Sequence, residues 1–196
     1  MLPLVALILI VDDTFGLAGP EMVAAQTTVN AILEQAVLRA DWYVCPLPNA
    51  SEDAGDPLCA ARAPDGALVI RIVAATRAVP EQTLGKALVD GSKGSLATVF
   101  GDRVRTLAAQ ARFDAGVLLG RAIAHEIGHL LIGTAAHARE GLMRGRWSVD
   151  QLQRDLATDW TWSRQEVVGM ARGIDARASR IDAKSPALAK GIARTP

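Results

Sequence analysis

Leu4 to Val11 is a continuous apolar run, the pattern of a β-strand covered on both faces. From Pro20 the period changes. Met22, Ala25, Val29, Ile32, Leu33, Ala36 and Val37 recur at helical steps, which predicts an amphipathic helix opening on a proline in its first turn. Asp41 to Cys45 predicts a short second strand, and Leu68 to Ala75, rich in β-branched residues, a third. Leu84 to Asp90 and Leu96 to Asp102 flank Gly91-Ser92-Lys93-Gly94, turn chemistry that predicts a hairpin. Val104 to Arg112 suits a short helix, and a long apolar helix follows from about Asp114 to Ile132, with Gly133 in the place of a C-cap glycine. Ser148 is positioned to cap a helix through Leu156. Ser163-Arg164-Gln165-Glu166 is a capping box for another, reaching about Arg172.

The order β-α-β-β-β-α-α describes an α/β domain with a small mixed sheet. Bulky apolar residues thin out beyond Gly173, so one domain over 1–175 and a mobile tail over 176–196 are expected. With 196 residues, half of them hydrophobic, the chain can bury a real core. Its 21 basic and 21 acidic residues cancel, and no long block of one sign occurs, so nothing electrostatic points to nucleic acid or an anionic membrane. The apolar start is far short of a bilayer span, and no Lys or Arg precedes Arg39 to form the basic region of a signal peptide. No membrane span is expected. Cys45 and Cys59 bracket a polar, proline-containing loop that a disulfide could close. Such a bond favours a secreted or periplasmic location, with a cytoplasmic one left open. No Cys-x-x-Cys occurs to suggest a thiolate zinc site.

The chemistry concentrates in one place. All three histidines, His125, His129 and His137, fall within a short stretch, and two of them frame His125-Glu126-Ile127-Gly128-His129 on the predicted long helix. Positions i and i+4 share a helical face, so both imidazoles can reach one zinc ion, while Glu126 can reach a water on that ion as general base. A catalytic zinc usually takes three protein ligands. Gly133 lets the helix stop and the chain reverse, which can return His137 as the third. The helix is otherwise very apolar, and coordination removes the cost of burying its histidines.

From His125 to Met143 the chain reads His-Glu-Ile-Gly-His-Leu-Leu-Ile-Gly-Thr-Ala-Ala-His-Ala-Arg-Glu-Gly-Leu-Met. This resembles the metzincin clan of zinc peptidases, whose signature is His-Glu-x-x-His-x-x-Gly-x-x-His followed by a Met-turn. Leu84 to Val89 with Ala97 to Phe100 is similar to the strand pair before that helix in archaemetzincin-like proteins. The resemblance implies a mostly parallel sheet with an antiparallel edge strand, an active-site helix and C-terminal helices. It implies one zinc ion on His125, His129 and His137, Glu126 activating a zinc-bound water, Gly133 ending the helix and Met143 in the Met-turn. It also implies hydrolysis of a peptide or protein laid as an extended strand along the edge at 84–90. In this chain the glycine comes one residue later than in the signature and the third histidine two residues later, so the loop must bulge.

Two alternatives to the peptidase remain open: a zinc-binding module without activity, and a site of the gluzincin type with Glu166 as third ligand. Arg144 and Arg146 follow the Met-turn segment, where a cation facing the cleft would contact substrate or stabilise an oxyanion. Oligomeric state leaves no mark in the pattern.

Overall fold

The structure, a computed structural model, describes residues 4–45, 59, 63–91 and 94–184. Five strands form one sheet in the order β2-β1-β3-β5-β4. They are β1 (Val5–Asp13), β2 (Leu38–Cys45), β3 (Leu68–Val73), β4 (Gly85–Leu88) and β5 (Leu96–Phe100). All neighbours pair parallel except β4, which runs antiparallel at the edge, as the hairpin pattern predicts. The helices are α1 (Gly19–Glu34), α2 (Gly101–Ala111), α3 (Ala115–Ile132), α4 (Val149–Arg154) and α5 (Arg164–Lys184), with a 3-10 turn at Ala157–Trp160.

Register aligns the apolar rows. Val11, Ile70 and Ala97 are neighbours across three strands, as are Ile72 and Val99 across two, and all are buried. This face packs on α1 and α3. The opposite face of β1 is only partly covered among the described residues: Ile10 is buried, Ile8 half-buried and Ala6 exposed. The unbroken apolar run of β1 therefore overstates the cover that strand receives.

Helix α3 is the central element. Asp114 caps its start by accepting the Val117 N–H at 2.8 Å. It is long and apolar enough to cross a membrane, but 83% of it is buried inside the protein, so its apolarity is spent on the core.

Four boundaries differ from the pattern. The apolar stripe of α1 runs on to Val37, yet the helix stops at Glu34 and Val37 takes φ 59° in a tight turn. That turn delivers Leu38 and Ala40 to the core, so β2 starts at Leu38 rather than at Asp41. Helix α2 starts directly after β5, at Gly101 rather than Val104.

Helix α5 continues through Lys184, into the expected tail over 176–196; 185–196 lie outside the described residues. Gly173 sits against the Leu131 backbone, and the buried guanidinium of Arg177 donates to the carbonyl oxygens of Gly94 and, at 2.6 Å, Leu130. A close backbone approach and a buried cation at a helix C-terminus hold this segment, and neither registers as hydrophobic periodicity. Cys45 and Cys59 form the expected disulfide, with Cα atoms 5.4 Å apart. The loop 46–58 that they bracket lies outside the described residues.

Candidate metal centre

His125 and His129 occupy one face of α3, and both are buried. Each ring is anchored from behind. The Nδ1–H of His125 donates to the carbonyl oxygen of Leu142 at 2.8 Å, and that of His129 to the carbonyl oxygen of Thr134 at 2.7 Å. A carbonyl can only accept, so both hydrogens sit on Nδ1 and both Nε2 atoms present a bare lone pair.

The chain leaves α3 at Gly133, whose φ of 78° is left-handed and which closes the helix with an N–H bond to the His129 carbonyl at 2.9 Å. Thr134 shapes the bulge: its carbonyl holds His129, and its Oγ1 accepts the Ala136 N–H at 3.1 Å. The longer interval thus ends with the His137 ring stacked on His125, centroids 5.3 Å apart, and edge-on to His129 at 4.8 Å.

His129 Nε2 lies 3.0 Å from His125 Nε2 and 3.2 Å from His137 Nε2, and the ligand nitrogens of all three lie within 4.8 Å of one another. Between His125 and His129 no hydrogen is available to bridge that contact, so lone pair faces lone pair. Protonation does not relieve it, because burial pushes His125 down to about 3 and His129 below its ordinary value; neighbouring histidine charge adds to both shifts. A cation at the centre does. Tetrahedral zinc, with Zn–N near 2.0–2.1 Å, sets its nitrogens about 3.3 Å apart, close to both spacings. An all-imidazole donor set suits zinc as well. The residues present fit the ion.

Glu126 lies beside this trio, 4% exposed, beneath the edge strand. Its carboxylate accepts the Ala87 N–H, while Oε2 is buried with no hydrogen-bond partner. Burial pushes the carboxyl up to about 8 against the opposing effect of that N–H. The register explains how it fits. Gly85 opposes Val99 and Ala87 opposes Ala97, so these two positions of β4 share the face that meets α3. A methyl group on Gly85 would stand 2.5 Å from Glu126 Oε1 and 2.9 Å from Cδ.

Met143 is buried under the same helix. A side chain on Gly128 would meet its Sδ at 2.6 Å. The Met143 carbonyl accepts the Ala138 N–H at 2.9 Å, and Gly141, at φ 74°, turns the chain between them. The preceding carbonyl, of Leu142, is the one that orients His125. One tight segment therefore supports both the ring and the floor beneath it.

Among solved structures the chain is similar to archaemetzincin from Methanopyrus kandleri, with TM-score 0.51 and 16% identity over 88% of this chain and 96% of that one. It is also similar to metalloproteinase-II from Bacteroides fragilis, with TM-score 0.57 and 16% identity, over 86% of this chain and 53% of that one. The fold is metzincin-like. No protein-family profile matches the chain, and no curated protein matches it by sequence.

In this metzincin-like fold a cleft of about 1170 Å³ opens beside His125, Glu126 and His137, walled by α2, the segment before β4 and the segment 144–149. Arg144 and Arg146 both line it. Arg144, however, is held by Asp159 at 3.0 Å, whereas Arg146 is exposed and has no ion pair among the described residues. Trp147 packs edge-on against His125 and Trp160, at 5.7 and 5.3 Å between centroids. Glu166 does not join this group: its carboxylate accepts the Ser163 N–H at 2.6 Å and closes the capping box of α5, and the three histidines are the group that could hold a metal ion among the described residues. Tyr43 stands on β2, at the far edge of the sheet from β4. Two residues of the site carry no sequence signal. Gly85 matters only because Glu126 lies against it. Arg103 faces the cleft only because α2 packs as it does.

Proposed function

We propose that this protein is a zinc-dependent metalloendopeptidase, with one zinc ion held by His125, His129 and His137 and Glu126 as general base. The observation that carries this reading is the convergence of three imidazole nitrogens beside a buried carboxylate oxygen that has no partner. A purely structural site has no use for that carboxylate. When bound, zinc lowers the pKa of a coordinated water to about 7 and polarises the scissile carbonyl. Glu126 Oε2 takes a proton from the attacking water and returns it to the departing amine nitrogen. The Ala87 N–H and the β4 backbone fix the carboxylate in place, and Gly85 leaves the room for it. Gly133 and Met143 support the trio, one by turning the chain and one from below.

The substrate lies along β4 as an added strand, near 84–90. The Leu84 carbonyl accepts the Phe100 N–H inside the sheet, so the alternate positions Gly85 and Ala87 turn their backbone groups outward, where the Ala87 N–H meets Glu126 and the remaining groups are left for the substrate strand. Arg146 is free to contact substrate. The Cys45–Cys59 disulfide supports an oxidising, secreted or periplasmic location.

The test is a zinc determination and a broad peptide-library digest on the purified protein and on Glu126→Gln. Stoichiometric zinc in both proteins is expected, with turnover reduced about 100- to 10,000-fold in the variant, the usual worth of a general base. Full turnover by the variant ends the mechanism. Stoichiometric zinc without cleavage of any peptide by the unaltered protein ends the peptidase reading.

A further inference from the structure

The wall of the cleft opposite the sheet edge is α2. Arg103, Thr106, Leu107 and Gln110 line it, at spacings that put them on one helical face, while Val104, Ala108 and Ala111 on the other face enter the core. Arg103 lacks a hydrogen-bond partner for its buried Nε. The nearest carboxylate, Asp102, stands 4.0 Å away, too far to hydrogen-bond, and has turned its Oδ1 to the Ala75 N–H at 2.8 Å. Arg146, on the facing segment, has no ion pair among the described residues. Arg103, a quarter exposed and with no hydrogen-bonded carboxylate among the described residues, and Arg146 line one cleft, and two such guanidinium groups make a place for an anion that accepts hydrogen bonds from both. The acidic groups lining the same cleft are Glu126, occupied beside the metal ligands, and Glu81, exposed on the segment before β4.

We infer that this cleft takes a carboxylate of the substrate close to the reacting bond, held by Arg103 with Arg146 as its second donor. The inference rests on the peptidase reading and names the substrate class of that site. Arg103 lines the same cleft as His125, Glu126 and His137, which places the carboxylate near the reacting bond. Two sources share this chemistry: an Asp or Glu side chain, and the free C-terminus of a peptide.

The experiment uses the zinc-loaded protein and matched fluorogenic peptides. At each position within two residues of the cut, Glu is compared with Gln. In a parallel set, a free C-terminus is compared with its amide. Binding of the same peptides to the Glu126→Gln protein is read by fluorescence anisotropy. A preference for the carboxylate of about 10-fold or more is expected in one set, as charge-assisted hydrogen bonds contribute. It should disappear in Arg103→Gln and turn toward a Lys-containing peptide in Arg103→Glu. Preference in the side-chain set assigns the source to Asp or Glu; preference in the terminus set assigns it to the C-terminus. Equal rates for carboxylate and amide, or a preference that survives Arg103→Gln, overturns the inference while the peptidase stands. Carboxylate-selective binding without any turnover keeps the inference and removes the peptidase. Neither binding nor turnover overturns both.

Discussion

Gly85→Ala tests the contact between the edge strand and the general base. The added methyl would stand 2.5 Å from Glu126 Oε1 and 2.9 Å from both Cδ and Cγ. Comfortable separation is about 3.5 Å, so the carboxylate end must retreat by roughly 1 Å. Strand β4 cannot yield easily, because its pairing with β5 fixes it from the other side. A misplacement of about 1 Å at a reacting group can cost about 100-fold in rate, and we expect kcat to fall by about that factor. The three atoms nearest the added methyl all belong to Glu126 and none to a histidine, so zinc content should remain stoichiometric. Overpacking should lower stability by about 1–3 kcal/mol. The assay is kcat on a fluorogenic peptide beside zinc content and a urea melt for both proteins. Wild-type kcat at full zinc occupancy would refute the role given to this contact. Loss of zinc in parallel with activity would show that the strand supports the ligands rather than the carboxylate.

Removing zinc with a chelator should lower Tm, because a ligand present at about 1,000 times its Kd stabilises by about 4 kcal/mol; a Tm indifferent to chelation and to added zinc would argue against a resident ion. Because the His137 ring is exposed, His137→Ala should weaken zinc binding sharply yet leave far-UV circular dichroism intact; unchanged zinc affinity would remove it from the ligand set. Reduction of the Cys45–Cys59 bond, with a sequence separation of 14, should cost about 3 kcal/mol in denaturant titrations, and no loss would mean that the closed loop does not limit the unfolded chain. Ending the chain after Asp175 deletes Arg177, the donor that the Gly94 and Leu130 carbonyls share, so a fall of about 2 kcal/mol or more in stability is expected; an unchanged melt would mean that the segment adds nothing to the fold.

Strand and helix periods, caps and turns were legible along the chain because they are local. The apolar run of β1, the Ser163 capping box and the C-cap glycine Gly133 each depend on neighbours within a few residues. The three-histidine group was legible for the same reason: helical geometry alone puts His125 and His129 on one face, and a permitted turn leaves His137 within reach. Contacts between distant segments were not. Nothing near Gly85 marks it as the space for the Glu126 carboxylate, and nothing near Arg103 marks it as lining the same cleft as the histidines. The persistence of α5 through Lys184 depends on the Leu131 backbone and on carbonyl groups at Leu130 and Gly94, which only packing brings together. Local patterns set by steric period and hydrogen-bond reach therefore located the chemistry, while the shape and charge of the space around it came from long-range approach, which no single window of residues encodes.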